Sequence, residues 1–308
     1  MAEVSKREHN VVIKGYLKEN TLELIKTQKG SRAIRGNLMV ALNENESFKV
    51  QYYVGEFTST GDPAKAFEGL YALLPEKTTS IVGYLKENYG SKFQEAAKFA
   101  TKIWVNGYFD EYLRRNENGD VVTSVQIRGR RAGLAAANEE GLFTPKAEFK
   151  ADVYVYDIKE EEKEGNKTGR IVLTGLIPNY DQSVTMVDFI APTDGNVATY
   201  ILSNYHNEDT VRLEGNLLNV YIRKEVAPSE DFFGSAKKPQ YETEFINERL
   251  ITGGSSVKAI IHQGQPGSLS TAEAKLGLNI RLSKVQDYRP RVAPTAKAGF
   301  NDDEDVDF

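Results

Sequence analysis

The chain has 308 residues, 40% apolar and 27% charged, with 25 Gly and 10 Pro, so it can bury a sizeable core and lies outside the collagen-like and wholly disordered classes. It has no Cys, and its three His (His9, His206, His262) are far apart in sequence, which excludes a thiolate metal site, a disulfide framework and a Cys nucleophile and leaves no ligand-like His spacing. Net charge is −5, but residues 301–308 alone carry five acids and no base; residues 1–150 hold 22 Lys+Arg against 19 Asp+Glu, and residues 151–300 hold 17 against 20.

Strict apolar alternation marks five half-buried strands in the first half. Val11, Ile13, Gly15 and Leu17 oppose Lys14, Tyr16 and Lys18; Ile34, Gly36, Leu38, Val40 and Leu42 oppose Arg35 and Asn37; Phe48, Val50, Tyr52 and Val54 oppose Lys49, Gln51 and Tyr53. Between the third and fourth strands the period changes. Asp62-Pro63 caps AKAFEGLYALL and Ser91 opens KFQEAAKFATK, which predicts a helical insert at about residues 62–100. Ile103, Val105, Gly107, Phe109 and Leu113 then oppose Lys102, Trp104, Tyr108, Tyr112 and Arg114, and Val121, Thr123, Val125, Ile127 and Gly129 oppose Gln126, Arg128 and Arg130. Asn118-Gly119 supplies the hairpin turn between these two. Three strands, an insert and two strands is the order of an OB-fold, a five-stranded Greek-key barrel.

The order repeats. Residues 149–158 alternate, residues 167–175 resemble 29–36, residues 182–189 read as a third strand, and Asp194 can cap a helix over 197–205. Val211-Arg-Leu-Glu-Gly215 echoes Ile103-Trp-Val-Asn-Gly107, and after an insertion at 225–240 a fifth strand is expected at 241–250. The expectation is an all-β protein with short helical inserts: two OB-like five-stranded barrels in tandem (1–147 and 148–285) and a disordered linker with an acidic tip (286–308). Further strands at 257–261 and 276–282 would close a sheet or pair with a second copy, which leaves room for a homodimer. The acids at 160–164 read as a solvated hairpin loop.

On the exposed faces of the first half, Lys14, Tyr16, Lys18, Arg35, Lys49, Tyr53, Lys102, Trp104, Tyr108, Tyr112, Arg114, Arg128 and Arg130 interleave cations with aromatic rings. Single-stranded nucleic acid needs cations along its backbone and flat rings on which unpaired bases stack. The plain alternative is that Tyr, Trp and Thr favour strands while Lys and Arg favour water. The second half adds acids (Glu242, Glu244, Glu248) that would repel phosphate, so a structural, dimerising or weakly contributing role is expected there. No GxxxxGK[ST], GxSxG or HExxH occurs, and Gly165-Asn-Lys-Thr168 lacks a phosphate loop; no enzyme activity, cofactor or metal is expected. No apolar run of about 18 residues or signal-peptide pattern is present, so a cytoplasmic protein without membrane partners is expected.

A barrel followed by a Pro-containing linker and Asn301-Asp-Asp-Glu-Asp-Val-Asp-Phe308 resembles single-stranded DNA-binding proteins of the bacterial and bacteriophage kind. The Asp-Phe ending is closer to the phage proteins, and the lack of a long Gly/Gln-rich linker departs from the bacterial type. The resemblance implies binding and protection of single-stranded DNA in replication and recombination. It also implies that replication or recombination proteins dock on Asp302, Asp303, Glu304, Asp305, Asp307 and Phe308. An RNA-binding or strand-annealing protein, and a structural β-barrel assembly protein, are the alternatives.

Overall fold

The computed structural model describes residues 7–28, 30–136, 142–226 and 240–289. Among these residues, eleven strands form one continuous sheet system that closes twice. In the first barrel, β1 (His9–Asn20), β3 (Arg32–Ala41), β4 (Ser47–Gly55), β5 (Lys102–Arg115) and β6 (Val121–Leu134) pair in the ring β1–β5–β6–β4–β3–β1. All contacts in this ring are antiparallel except β4–β6. A short strand, β2 (Glu23–Lys26), adds to the edge of β3. The second barrel repeats the ring with β7 (Lys146–Lys163), β8 (Asn166–Pro178), β9 (Val184–Ala191), β10 (Thr210–Val226) and β11 (Gln240–Gly254), joined β7–β8–β9–β11–β10–β7. Its one parallel contact, Leu250 against Ile190, is again between the third and fifth strands. Two OB-type barrels in tandem are therefore present, as the strand order in the sequence implied.

The barrels are fused along their first strands: β1 and β7 run antiparallel, with Val11 opposite Phe149. One hydrophobic cluster extends through both. At its centre the rings of Phe109, Phe149 and Phe189 meet with centroids 5.2–6.0 Å apart, one from β5, one from β7 and one from β9. Among the bulges of each barrel, one falls beside a glycine at the equivalent place. The ladder slips between Asn106 and Gly107 in β5 and between Glu214 and Gly215 in β10. At both glycines a Cβ would collide with backbone, 2.4 Å from Arg128 O and 2.0 Å from Leu250 O. The sequence echo between 103–107 and 211–215 thus marks one structural device used twice.

Several expectations are corrected. Residues 276–282 lie in a helix, α5 (Thr271–Gln286), because Ser270 and Glu273 form a reciprocal capping box that fixes its start. Residues 257–261 make a 3-10 turn, Val257–Ala259, and one bridge from Ile261 to Thr210 rather than a strand. In the insert, α1 (Lys65–Tyr71) starts after Ala64, since Asp62 instead closes a turn with Thr58; α2 (Ile81–Glu87), capped by Ser80, was not expected; and α3 (Phe93–Phe99) follows Lys92 rather than Ser91. Asp194 lies in a 3-10 turn and does not cap α4 (Val197–Asn204). Most of the acids at 160–164 belong to β7, which turns tightly through Glu164 and Gly165, both at positive φ. The alignment of residues 167–175 with 29–36 also shifts, because the ladders superpose Arg35 on Arg170 rather than Gly36 on Gly175. Residues 227–239 and the acidic tip with its linker from residue 290 lie outside the described residues.

Candidate nucleic-acid interface

The cations and rings singled out in the sequence fall on two faces of the first barrel. On the outside of β1 and β5, Lys14 is paired across the ladder with Trp104, and Tyr16 with Lys102. Phe143, from the segment entering β7, lies over this face: its ring is 5.2 Å from Tyr16, and the ammonium groups of Lys14 and Lys102 sit 4.9 and 5.2 Å from its centroid. Phe143 therefore covers part of this face, its ring tilted by 60° against Tyr16. Trp104 lies across Gly133, where a Cβ would come within 3.1 Å of its indole nitrogen, and remains 36% exposed. Lys18, at the far end of β1, donates to Ser47 Oγ at 3.3 Å.

The second face is built by β3, β4, β6 and β5. Arg35 stands opposite Tyr53, Asn37 opposite Gln51 and Met39 opposite Lys49; the parallel contact puts Arg128 beside Gln51, and Tyr108 follows opposite Arg128. Tyr53 is 58% exposed. Arg130 is the extra residue of the β6 bulge, which turns its guanidinium over the Tyr108 ring at 4.7 Å and lets it donate to the His9 carbonyl at 2.8 Å. Between the two arginines, Gly129 leaves room for the buried Tyr52 ring, whose Cε1 a Cβ there would meet at 2.0 Å. Filling that space from inside the barrel sets Arg128 and Arg130 outward. Tyr112 and Arg114 continue the row along the β5–β6 hairpin, Arg114 donating to Ser124 at 3.2 Å.

Part of this charge is already met by carboxylates: Arg35 contacts Glu23 at 2.5 Å and Arg128 contacts Asp110 at 3.3 Å. The first pair is exposed and the second partly so, and both hold their partners weakly, so they can exchange for phosphate. Burial, followed by the nearby Arg130 charge, lowers the His9 pKa to about 4. The neutral ring can accept at Nε2 from the Phe109 amide at 3.0 Å, and its edge meets Tyr108. Burial also raises the Tyr108 phenol, against the pull of Arg128 and Arg130.

The long β10–β11 hairpin of the second barrel leans over this face. Tyr221 N donates to Asn45 O at 2.8 Å, and Asn219 donates to the Ser47 carbonyl. The result is a groove of about 490 Å³ between the barrels, with Lys49, Gln51, Tyr112 and Gln126 on one side and Asn219, Asn247 and Arg249 on the other. The amides and Arg249 are absent from the sequence-based set. No motif marks them, because their role comes from a hairpin folding across a different barrel.

The bulge glycines put the two barrels in register, and the equivalent face of the second barrel is different. Gln51 and Arg128 correspond to Ile190 and Leu250, Lys49 to Asp188 and Arg130 to Thr252. Arg170, the counterpart of Arg35, is held by Glu161 and Glu248. Among the described residues no helix is long and apolar enough to cross a membrane.

A family model described as YorF matches residues 8–262, a span that takes in both barrels and stops before α5. No curated protein matches the chain. Among solved structures, it is similar to the single-stranded DNA binding protein from Thermus aquaticus. The wild-type form is 11% identical with TM-score 0.40, covering 82% of this chain and 93% of that one. A deletion mutant of the same protein is 12% identical with TM-score 0.42, covering 81% of this chain and 94% of that one.

Proposed function

The chain belongs to the YorF family, and from the interface of its first barrel we propose that it coats single-stranded DNA without marked sequence preference and without catalysing a reaction. The observation that carries this reading is the set Arg35, Tyr53, Arg128, Tyr108 and Arg130 on the outer face of β3, β4, β6 and β5, in which Tyr53 stands opposite Arg35 and Tyr108 opposite Arg128, with Arg130 over the Tyr108 ring. In OB-type barrels the face of the second and third strands, with the loops joining strands one to two and four to five, forms the oligonucleotide surface, and those two strands are β3 and β4 here. Cations spaced among rings suit a strand whose phosphates follow one line and whose bases follow another. The second barrel, with Asp188, Ile190 and Leu250 at the corresponding places, serves mainly as scaffold.

The wider role follows the resemblance of the sequence. The protein works in the cytoplasm alongside replication or recombination proteins, which dock on the acids at 302–307 and on Phe308. A gel-shift titration with single-stranded DNA, duplex DNA and RNA of equal length at two salt concentrations tests the binding. We expect a salt-sensitive shift with the single strand and a weak one with duplex. A preference for RNA, or accelerated pairing of complementary strands, would favour an RNA-binding or annealing protein instead. No shift with any of the three would leave a structural β-barrel protein.

A further inference from the structure

We infer that the single-strand site is composite, and that Arg249 of the second barrel grips the strand's phosphate from the far wall of the groove. This rests on the binding reading above and adds a residue and a barrel to it. Arg249 lies on β11 and reaches across the interface, its guanidinium carbon 5.9 Å from the centroid of Phe109, a core residue of the first barrel. Among the described residues no hydrogen bond or ion pair reaches that guanidinium. The acid whose charge acts on it, Asp188, accepts instead from Thr174 Oγ1 at 2.6 Å. Burial disfavours the cation and lowers its pKa, the reverse of what a paired arginine shows.

Arg249 is half-buried, with its guanidinium carbon over the Phe109 ring and its N–H donors still accessible, so they are left for an anion that enters the groove. Arg249 faces a groove large enough for a nucleotide, whose opposite wall carries Lys49 and Tyr112. Asn247, two residues before Arg249, donates to Asn219 Oδ1 at 3.1 Å, and Asn219 is tied to the first barrel at Ser47, so the wall is held in place before any strand arrives. The guanidinium fork matches two phosphate oxygens, while the ring of Tyr112 is free for a base.

The test uses the full chain and an oligothymidine of about 20 nucleotides, titrated across a range of salt. We expect Arg249→Met to weaken binding roughly tenfold and to lower the salt slope by about 0.7, one phosphate contact on a single strand, and Arg249→Lys to restore the slope with part of the affinity. Independently of any substitution, the unsubstituted protein irradiated with an oligothymidine carrying 4-thiothymidine should yield cross-links within residues 240–254 as well as in the first barrel. Unaltered affinity and slope in a folded Arg249→Met protein, or cross-links confined to the first barrel, would overturn the composite site while leaving single-strand binding intact. Failure of the unsubstituted protein to bind would remove both readings.

Discussion

Replacing Arg35, Arg128 and Arg130 together by Ala should change how binding depends on salt more than how the protein melts. Each arginine sits on the outer face of the first barrel, and each has a partner it can give up: Glu23, Asp110 and the His9 carbonyl. Three phosphate contacts on a single strand contribute a salt slope of about 0.7 each, so the triple variant should lose about 2 from the slope. Between about 50 and about 200 mM salt, the affinity ratio of parent to variant should then narrow by about twentyfold. The two ion pairs are worth about 0–1 kcal/mol each and the Arg130 bond to the His9 carbonyl about 1 kcal/mol, so melting should move less than binding does. Fluorescence anisotropy of a labelled oligothymidine at four or five salt concentrations measures the slope directly. Lys167→Ala, which removes an exposed cation paired with Glu160 on the second barrel, is the control for net charge. If the slope of the triple variant equals that of the parent, or the loss depends on base composition, phosphate contact on this face is wrong.

Phe149→Ala, which empties the centre of the three-ring cluster, should cost ~3–5 kcal/mol and leave one cooperative calorimetric transition, since the core is continuous; two separated transitions would show that the barrels unfold independently. Gly107→Ala and Gly215→Ala should each destabilise by ~1–3 kcal/mol in urea titrations, because a backbone carbonyl cannot rotate out of the way; a neutral substitution at either would mean that its bulge is dispensable. His9 is held neutral to about pH 4 in the fold but protonates near 6.5 when unfolded, so its contribution is complete above pH 6.5 and is lost as pH falls towards 4. That loss, on the order of 3 kcal/mol, should be smaller in His9→Gln when unfolding is compared at pH 7 and pH 4.5.

Local pattern carried the ten main strands because each barrel strand has one wet and one dry side, and that alternation is written residue by residue. The β5–β6 hairpin was legible from Asn118-Gly119, and the tandem architecture from the echo around Gly107 and Gly215. Elements governed by a few polar contacts were not legible in this way. In α5, Leu276, Leu278, Ile280 and Leu282 alternate as a strand would, yet Ala274 and Gly277 are the residues it buries, and the capping box at Ser270 fixes the helix. Short β2, with three of its four residues exposed, offered no period to read.

The candidate site divides along the same line. Arg35, Lys49, Tyr53, Tyr108, Arg128 and Arg130 come together because period-two patterning assigns them to one side of neighbouring strands. That same rule could not tell the open face from the one Phe143 covers, so Lys14, Tyr16 and Lys102 were grouped with them. Arg249 was out of reach, since its position depends on a hairpin crossing between barrels separated in sequence by a whole fold.

The antiparallel β1–β7 ladder, with Val11 against Phe149, has the geometry of a contact between two copies of one barrel, but here both copies lie on a single polypeptide. In a symmetric pair every substitution is made twice, so a cation introduced for a ligand appears on both halves, and an acid introduced to tighten the seam does too. Joining the halves removes that coupling. Arg128 can face outward on one barrel while Leu250 fills the same place on the other, and Lys49 can have Asp188 as its counterpart. The chain thereby acquires a front and a back, and a strand laid along it meets a surface with a direction, where a two-fold pair would offer the same face twice.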